Sequence, residues 1–351
     1  MPEMESTNKQ TVLVTGASGY VAGRLIENLL AKGHTVHATV RNPHDRNAVG
    51  HLLTLNDGVT SRLKLFAADL LKDGSFDEAM KDCELVFHTA SPFFNKVKDP
   101  QRDLVDPAVK GTANVLSSAN RTPSVKRVVL TSSVAAIIGD AADCLQYPGG
   151  IATEDQWNTT SSLKHQPYSY SKTQAERKAW EMAGAQSQWE LVVINPSFVI
   201  GPGLKAHSNA ESFNIIRQMA NGMLRFGAPD FNIGVVDVRD LAEAHYRAGF
   251  MTEAKGRHII SARESSLLEL AAMLRNKFGS RYPFPTRTLP NGVIWLMAPL
   301  AGLSRRMVSR NMGQPWKVDN SKSIRALGMS YRPVEESITE MFAQIVEAKL
   351  V

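Results

Sequence analysis

Apolar and polar positions along the chain fall into two alternating patterns. Short runs that are apolar or β-branched nearly throughout (Thr11–Val14, Thr35–Val40, Leu63–Ala67, Leu85–His88, Arg127–Leu130 and Leu191–Ile194) read as strands buried on both faces. Most are separated by stretches of helical periodicity, as after the first, where Val21, Leu25, Ile26, Leu29 and Leu30 form one stripe. Strands alternating with helices predict an α/β chain built on a doubly wound parallel sheet, with ligands beyond the carboxyl ends of the strands. The second half differs. Phe213–Met223 and Leu267–Phe278 read as helices, the three prolines between Tyr282 and Pro290 require a loop, and Pro333 precedes a last helix striped by Ile338, Met341, Phe342, Ile345 and Val346. The expected organisation is a polar tail at 1–10 and a main domain at 11–200 that takes further strands from about 232–262. A smaller substrate lobe comes from 201–231 and 263–351.

The first strand runs into Gly-Ala-Ser-Gly-Tyr-Val, with glycines at 16 and 19, and then into the first helix. Gly16 permits the sharp turn, and Gly19 admits a pyrophosphate close to the backbone, facing the free N–H groups of the helix. Ala22 stands where a third glycine often packs helix on strand, and one methyl is tolerable there. Gly16, Ser18, Gly19, Tyr20 and Val21 are therefore expected to touch a dinucleotide.

Composition narrows the field. With 43% apolar and 21% charged residues among 351, the chain is that of an ordinary soluble protein. A net charge of +6 without a long Lys/Arg run argues against a nucleic-acid partner. Cys83 and Cys144 show no metal or redox spacing, which suits reduced thiols in the cytoplasm. The start, MPEMESTNKQ, is too polar for a signal peptide, and the apolar run Val293–Leu303 is too short to span a bilayer and contains Pro299, so no membrane partner is expected. His34, His37, His88 and His245 share no ligand spacing, so no metal is expected.

The candidate chemistry begins at Tyr168-Ser-Tyr-Ser-Lys172. On a helix Tyr168 and Lys172 lie one turn apart, and an ammonium beside a phenol favours the phenolate, which equips it for acid–base work. Tyr170 lacks that spacing. A hydroxyl at the end of the fifth strand, Ser133 or Ser132, can hold a carbonyl oxygen. An NAD enzyme of this fold usually carries an acid at the end of strand two. Here the strand ends in Arg41 with no acid before Asp45, and an arginine can fork onto a ribose 2′-phosphate. Arg305, Arg306 and Arg310 read as a solvated helical face.

The segments VTGASGYVAG, ADL, FHTASP, TSS, YSYSK, NPSFVIGPG, VDVRDLAEAH and DNSKSIRALGMSYRPVEESI occur in one order. In that order the chain resembles the extended short-chain dehydrogenase/reductases, most of all the dihydroflavonol reductase, cinnamoyl-CoA reductase and aldehyde or ketone reductase group. The resemblance implies a Rossmann-type fold and a catalytic set of Ser133, Tyr168 and Lys172, with Lys172 also on the nicotinamide ribose and Ser133 preferred to Ser132. It further implies that Asp69 and Leu70 flank the adenine, that Thr89, Ala90 and Ser91 line the middle of the cofactor, and that Pro196, Ser197 and Val199 pack near the nicotinamide; Thr131 is also expected to bind the cofactor. The cofactor implied is NADPH/NADP+, and the Asp237 and Asp240 motif is structural in this family. The chain departs from the group where HQPYSYSK replaces the NWYCYGK of cinnamoyl-CoA reductases, and where Ile137 and Ile138 replace the asparagine of dihydroflavonol reductases. An aldehyde or ketone in an apolar pocket remains, with Phe93, Phe94, Ile138, Tyr170 and Phe198 as candidate walls. The expected protein is an NADPH-dependent carbonyl reductase, monomer or homodimer, acting on a small molecule. Its rivals are a sugar-nucleotide epimerase or dehydratase, which would hold its nicotinamide through dialysis, and a non-catalytic NADPH sensor, which would turn over no carbonyl.

Overall fold

The computed structural model describes residues 9–55, 62–91, 97–206 and 210–351. Ten strands run in chain order: β1 (Thr11–Val14), β2 (Thr35–Val40), β3 (Leu63–Ala67), β4 (Leu85–His88), β5 (Arg127–Thr131), β6 (Glu190–Pro196), β7 (Phe198–Ile200), β8 (Asn232–Asp237), β9 (Gly256–Ile260) and β10 (Arg263–Ser266). The helices are α1 (Tyr20–Ala31), α2 (Arg46–Leu53), α3 (Asp77–Met80), α4 (Asp106–Arg121), α5 (Pro167–Gly184), α6 (Glu211–Ala220), α7 (Val238–Phe250), α8 (Leu267–Phe278), α9 (Asn291–Met297), α10 (Arg305–Asn311), α11 (Ser321–Ala326) and α12 (Val334–Glu347).

Seven strands form one parallel sheet in the order β3-β2-β1-β4-β5-β6-β9. The middle of each central strand is apolar on both faces because alternate residues serve opposite layers. Val12, Val14, Leu85, Phe87, Val129 and Ile194 pack under α1 and α7, against Leu25, Ile26, Leu29, Leu241 and Tyr246. Their neighbours Leu13, Val86, Val128, Leu130 and Val193 face α4 and α5, against Val115, Leu116, Ala119 and Ala179. Strand order reverses between β1 and β4. This is the doubly wound Rossmann-type arrangement, and its crevice opens at the carboxyl ends of those two strands.

Of the later strands expected near 232–262, β9 closes the edge of the main sheet, while β8 joins β7 and β10 in a separate three-stranded sheet. That small sheet is the floor of the second lobe. Phe213, Ile216, Leu270, Leu274, Ile338, Met341, Phe342 and Ile345 fill its core, with the Phe342 ring met edge-on by Phe278, Tyr282 and Phe284. The stripe read on the last helix is its buried face.

The lobes are stitched together beside α1. Tyr20 donates its hydroxyl hydrogen to the Gly201 carbonyl at 2.5 Å, Arg24 Nε donates to the Pro202 carbonyl at 2.9 Å, and the Gln344 side-chain amide brackets Gly203 through both its groups.

Candidate active site

The glycine turn is shaped for close approach. Gly16 sits at φ +67°, and a Cβ there would lie 2.8 Å from the Cα of Ala90. Both facts require glycine. Gly19 is the N-cap of α1, and neither a capping side chain nor an acid stands in the first turn. The leading amides of α1 therefore keep their donors for an anion, where the helix dipole also favours one. Opposite the turn, the Thr15 hydroxyl accepts from the Ala90 N–H at 3.1 Å and shares a hydrogen bond with His88 Nδ1 at 2.9 Å. His88 is a neutral strut: burial, aided by the Lys172 charge, drives its pKa down to about 3. Thr89 ties back to the Thr15 carbonyl at 2.5 Å. These bonds hold the end of β4 against the turn. The residues fit a dinucleotide: a glycine cradle, uncapped helix amides, and cations on either side.

One of those cations is Arg41, exposed after β2 and without an ion pair among the described residues. The first acid beyond it, Asp45, is already committed as the N-cap of α2, accepting from the Asn47 and Ala48 amides. The other is Lys172, whose Nζ donates to Ser91 Oγ at 3.0 Å and lies 5.8 Å from the centroid of the Tyr168 ring. Tyr168 stands in the first turn of α5 with 54% of its surface exposed.

The two serines after β5 are distinguished by their partners. Ser132 is buried and gives its hydroxyl hydrogen to Glu176 Oε2 at 2.5 Å. Ser133 is half-buried and accepts from the Ala135 amide at 3.1 Å, which leaves its own hydrogen free. Glu176 is the centre of a buried hub. It also accepts from Asn195 Nδ2 at 2.8 Å, Arg257 Nε at 2.6 Å and Trp180 Nε1 at 3.3 Å. Asn195 in turn reaches the Ser133 carbonyl at 3.1 Å. The hub thus binds α5, the end of β5, β6 and β9 together. Sequence reasoning missed Glu176, although it lies one turn beyond Lys172 on the same face of the helix. A small cavity behind Lys172 is lined by His88, Ser91, Thr131, Ser132, Lys172 and Glu176.

A second cluster holds the entrance to α5. The buried Asp140 carboxylate accepts from His165 Nε2 at 2.8 Å, Arg310 Nε at 2.7 Å and Asn311 Nδ2 at 2.7 Å, while Asp143 takes Arg310 Nη2 at 2.6 Å. Burial pushes the Asp140 carboxyl up, but these donors outweigh it and hold it below the usual range. Arg310 is therefore no solvated residue, as its sequence neighbourhood suggests, but a link from the small lobe to the loop just before Tyr168. Arg305 and Arg306 are exposed.

The remaining candidates divide. Thr131 Oγ1 bonds His245 Nε2 at 2.7 Å, and Ser197 is buried with its amide on the Ile260 carbonyl. Leu70 packs on Gly111, while the exposed Asp69 accepts from the Leu71 amide at 2.8 Å. Ser18 and Val21 are half-buried at the turn, and Pro196 ends β6. Val199 packs on the main-sheet core and Phe198 on the small-lobe core. Ile138 lies in a buried cluster with Ile137, Cys144 and Ile259, whereas Tyr170 is half-buried. Phe93 and Phe94 lie outside the described residues. Asp237 caps α7 and pairs with Arg239, and Asp240 pairs with Arg332, so both serve the fold. Among the described residues no cluster suited to a metal ion occurs, and no helix is long and apolar enough to cross a membrane.

Comparison with known proteins bears on this geometry. The chain is 38% identical over 350 residues to cinnamoyl-CoA reductase CAD2 of Medicago truncatula, covering 99% of both chains. It is 34% identical over 346 residues to tetraketide alpha-pyrone reductase 1 of Arabidopsis thaliana, covering 97% of this chain and 96% of that one. Among solved structures, the yeast methylglyoxal/isovaleraldehyde reductase Gre2, complexed with NADPH, superimposes with a TM-score of 0.80 at 27% identity, covering 97% of this chain and 99% of that one. The family model for the NAD dependent epimerase/dehydratase family matches residues 12–260, and the chain belongs to that family.

Proposed function

We propose that this chain, an NAD(P)-dependent reductase of the extended short-chain type, is an NADPH-dependent carbonyl reductase that converts an aldehyde or ketone into an alcohol. The observation that supports the reading is that Lys172, one helical turn from Tyr168, bonds Ser91 just beyond β4, while Glu176 on the same helix holds Asn195, which secures the Ser133 carbonyl. Bound NADPH supplies the hydride that reaches the carbonyl carbon. The chain's own residues manage the oxygen. Ser133, its lone pair engaged by the Ala135 amide, donates its hydrogen to the carbonyl oxygen and fixes the orientation of that group. Tyr168 hands over its phenolic proton as negative charge builds on the oxygen. The Lys172 ammonium, held by Ser91, faces the phenolate left behind and stabilises it. The same ammonium would hold a hydroxyl of the nicotinamide ribose. Arg41 pairs with the 2′-phosphate, a reading supported by the commitment of Asp45 to its helix.

The choice of substrate follows the relatives, whose names include a methylglyoxal/isovaleraldehyde reductase and a tetraketide alpha-pyrone reductase. An aldehyde or ketone is the substrate class that these names support. The test is Tyr168→Phe, assayed by NADPH oxidation over a panel of aromatic and aliphatic aldehydes, ketones and diketones. The variant is expected to bind NADPH as the parent does and to lose at least 100-fold in kcat, about the lower end of what general acid catalysis contributes. Full retained turnover refutes the role of Tyr168. NADPH binding by the parent with no turnover across the panel favours the sensor.

A further inference from the structure

The positive charge of this chain is segregated. Residues 270–318 hold eight lysines and arginines and no aspartate or glutamate, so the rest of the chain is slightly acidic although the whole carries +6. Three of the eight are tied into the fold. Arg275 bonds the Pro285 carbonyl, Lys277 bonds Thr339, and Arg310 is held by Asp140 and Asp143. Arg281, Arg287, Arg305 and Arg306 are exposed, and none of them has an ion pair with any described residue.

The same segment carries an unpartnered apolar face. α9, the 3-10 turn Ala298–Ala301 and α10 make a small helical hairpin whose inner side is closed by Ile294, Ala298, Leu303, Val308 and Met312. Its outer side presents Val293, Leu296, Met297 and Leu300, spaced three, four and seven apart, so they form a full helical stripe. Leu296 is 63% exposed and Leu300 81%, and no residue of α9 is buried. Trp295 lies under the Arg305 guanidinium, 4.4 Å from its ring centroid. Alongside, Phe226 is 63% exposed. Its ring lies 4.7 Å from the Arg225 guanidinium, and its carbonyl accepts from Arg287, four residues before α9.

An exposed apolar stripe with a tryptophan, flanked by Arg287 and Arg305, in a segment without an acid of its own (Asp230 adjoins the first residue of α9, Asn291), matches the interfacial region of an anionic bilayer. Nucleic acid would meet the charge but not the aliphatic stripe, and a second copy of the chain would set like charges against each other. We propose that α9 and the adjoining 3-10 turn form a peripheral docking surface for membranes rich in anionic phospholipid. The stripe enters the headgroup boundary, and Arg287, Arg305 and the adjacent Arg306 lie against the phosphates. Such a surface needs no spanning helix, and it stands independently of the reductase reading.

The test is co-sedimentation of the full chain with vesicles of phosphatidylcholine alone and of phosphatidylcholine with phosphatidylserine. Binding is expected only to the mixed vesicles, falling with salt as the Debye length shortens. Arg305→Gln/Arg306→Gln is expected to weaken binding about 30-fold, from the usual contribution of two basic residues near such a surface. Leu296→Ser/Leu300→Ser should abolish binding, and because these side chains are exposed, NADPH binding and the melting temperature should hold. The proposal is overturned if the parent ignores both vesicle types or if the leucine variant binds as the parent does. It is also overturned if the leucine variant changes the oligomeric state in sedimentation, which would make the stripe an interface between copies.

Discussion

Replacing Glu176 with glutamine isolates what the buried hub does. Glu176 and Arg257 are 1% and 7% exposed, and their shortest contact is 2.6 Å. The amide that replaces one oxygen turns a donor toward groups that are themselves donors: Arg257 Nε, Asn195 Nδ2 and the Ser132 hydroxyl. Removing one partner of a buried ion pair costs about 3–5 kcal/mol, since the other charge stays desolvated. With an unfolding entropy of ~2.1 cal/mol/K per residue over this chain, that becomes a melting temperature lower by about 4–7 °C. Glu176→Leu/Arg257→Met removes both charges and is expected to lose less than the sum of the single variants. Calorimetry of the parent, Glu176→Leu, Arg257→Met and the double variant closes the cycle, and kcat for each shows whether the end of β5 has moved. A Glu176→Gln protein that melts within ~1 °C of the parent, or single variants whose losses simply add, refutes the hub as an energetic unit.

Arg41→Ala should weaken NADPH about 10- to 150-fold, the range expected for a lost hydrogen bond to a charged group, and leave NADH nearly unchanged; equal losses in a fluorescence titration would show that Arg41 does not read the phosphate. Stability should also depend on pH through three buried imidazoles. Burial, above all, drives His88 and His258 down to about 3 and His245 to about 4. An unfolded histidine titrates near 6.5, so between these values the unfolded chain binds more protons. The stabilisation is complete above about pH 6.5 and is lost as pH falls, by up to ~1.4 kcal/mol per unit for each histidine. Urea unfolding at pH 7, 6 and 5 checks this, and a midpoint that does not move refutes it.

The parts legible in the sequence are those whose signal is local or doubled. Strands β1, β2 and β4 match the apolar runs because both their faces are buried, whereas β3, at the edge of the sheet, keeps its run although Lys64 is exposed. β5 and β6 run further than their apolar cores, to Thr131 and Pro196, because the neighbours Ile194 and Ile260 continue the ladder past the last apolar residue. The Tyr168 and Lys172 pair is legible because it spans one helical turn. The hub and the Asp140 cluster depend on distant pairings. Glu176 needs Ser132, Asn195 and Arg257, and Arg310 finds its carboxylates 167 and 170 residues away. Nothing in Ser304-Arg-Arg-Met-Val-Ser-Arg310 distinguishes the arginine that is held from the two that are exposed. β7 has only three residues, and its pairing with β8 depends on a partner more than thirty residues on.

The pair Ser132-Ser133 shows how distant contacts resolve what a motif leaves open. In extended backbone consecutive side chains point to opposite sides, and Ser133 is extended, with φ −164° and ψ 154°. A buried carboxylate on one side therefore determines what both residues can do. Glu176 consumes the Ser132 hydrogen, so that hydroxyl has no donor left for a ligand. The same carboxylate orients Asn195, which secures the Ser133 carbonyl and with it the backbone from which Ser133 projects. The Ser133 oxygen then accepts from the Ala135 amide, which fixes the hydroxyl while its hydrogen stays available to donate. A carbonyl oxygen needs that donor, and Ser133 can supply it where Ser132 cannot. The choice between two adjacent serines is thus made by a glutamate 44 residues downstream of Ser132, on the same helix as the tyrosine with which the chosen serine would act.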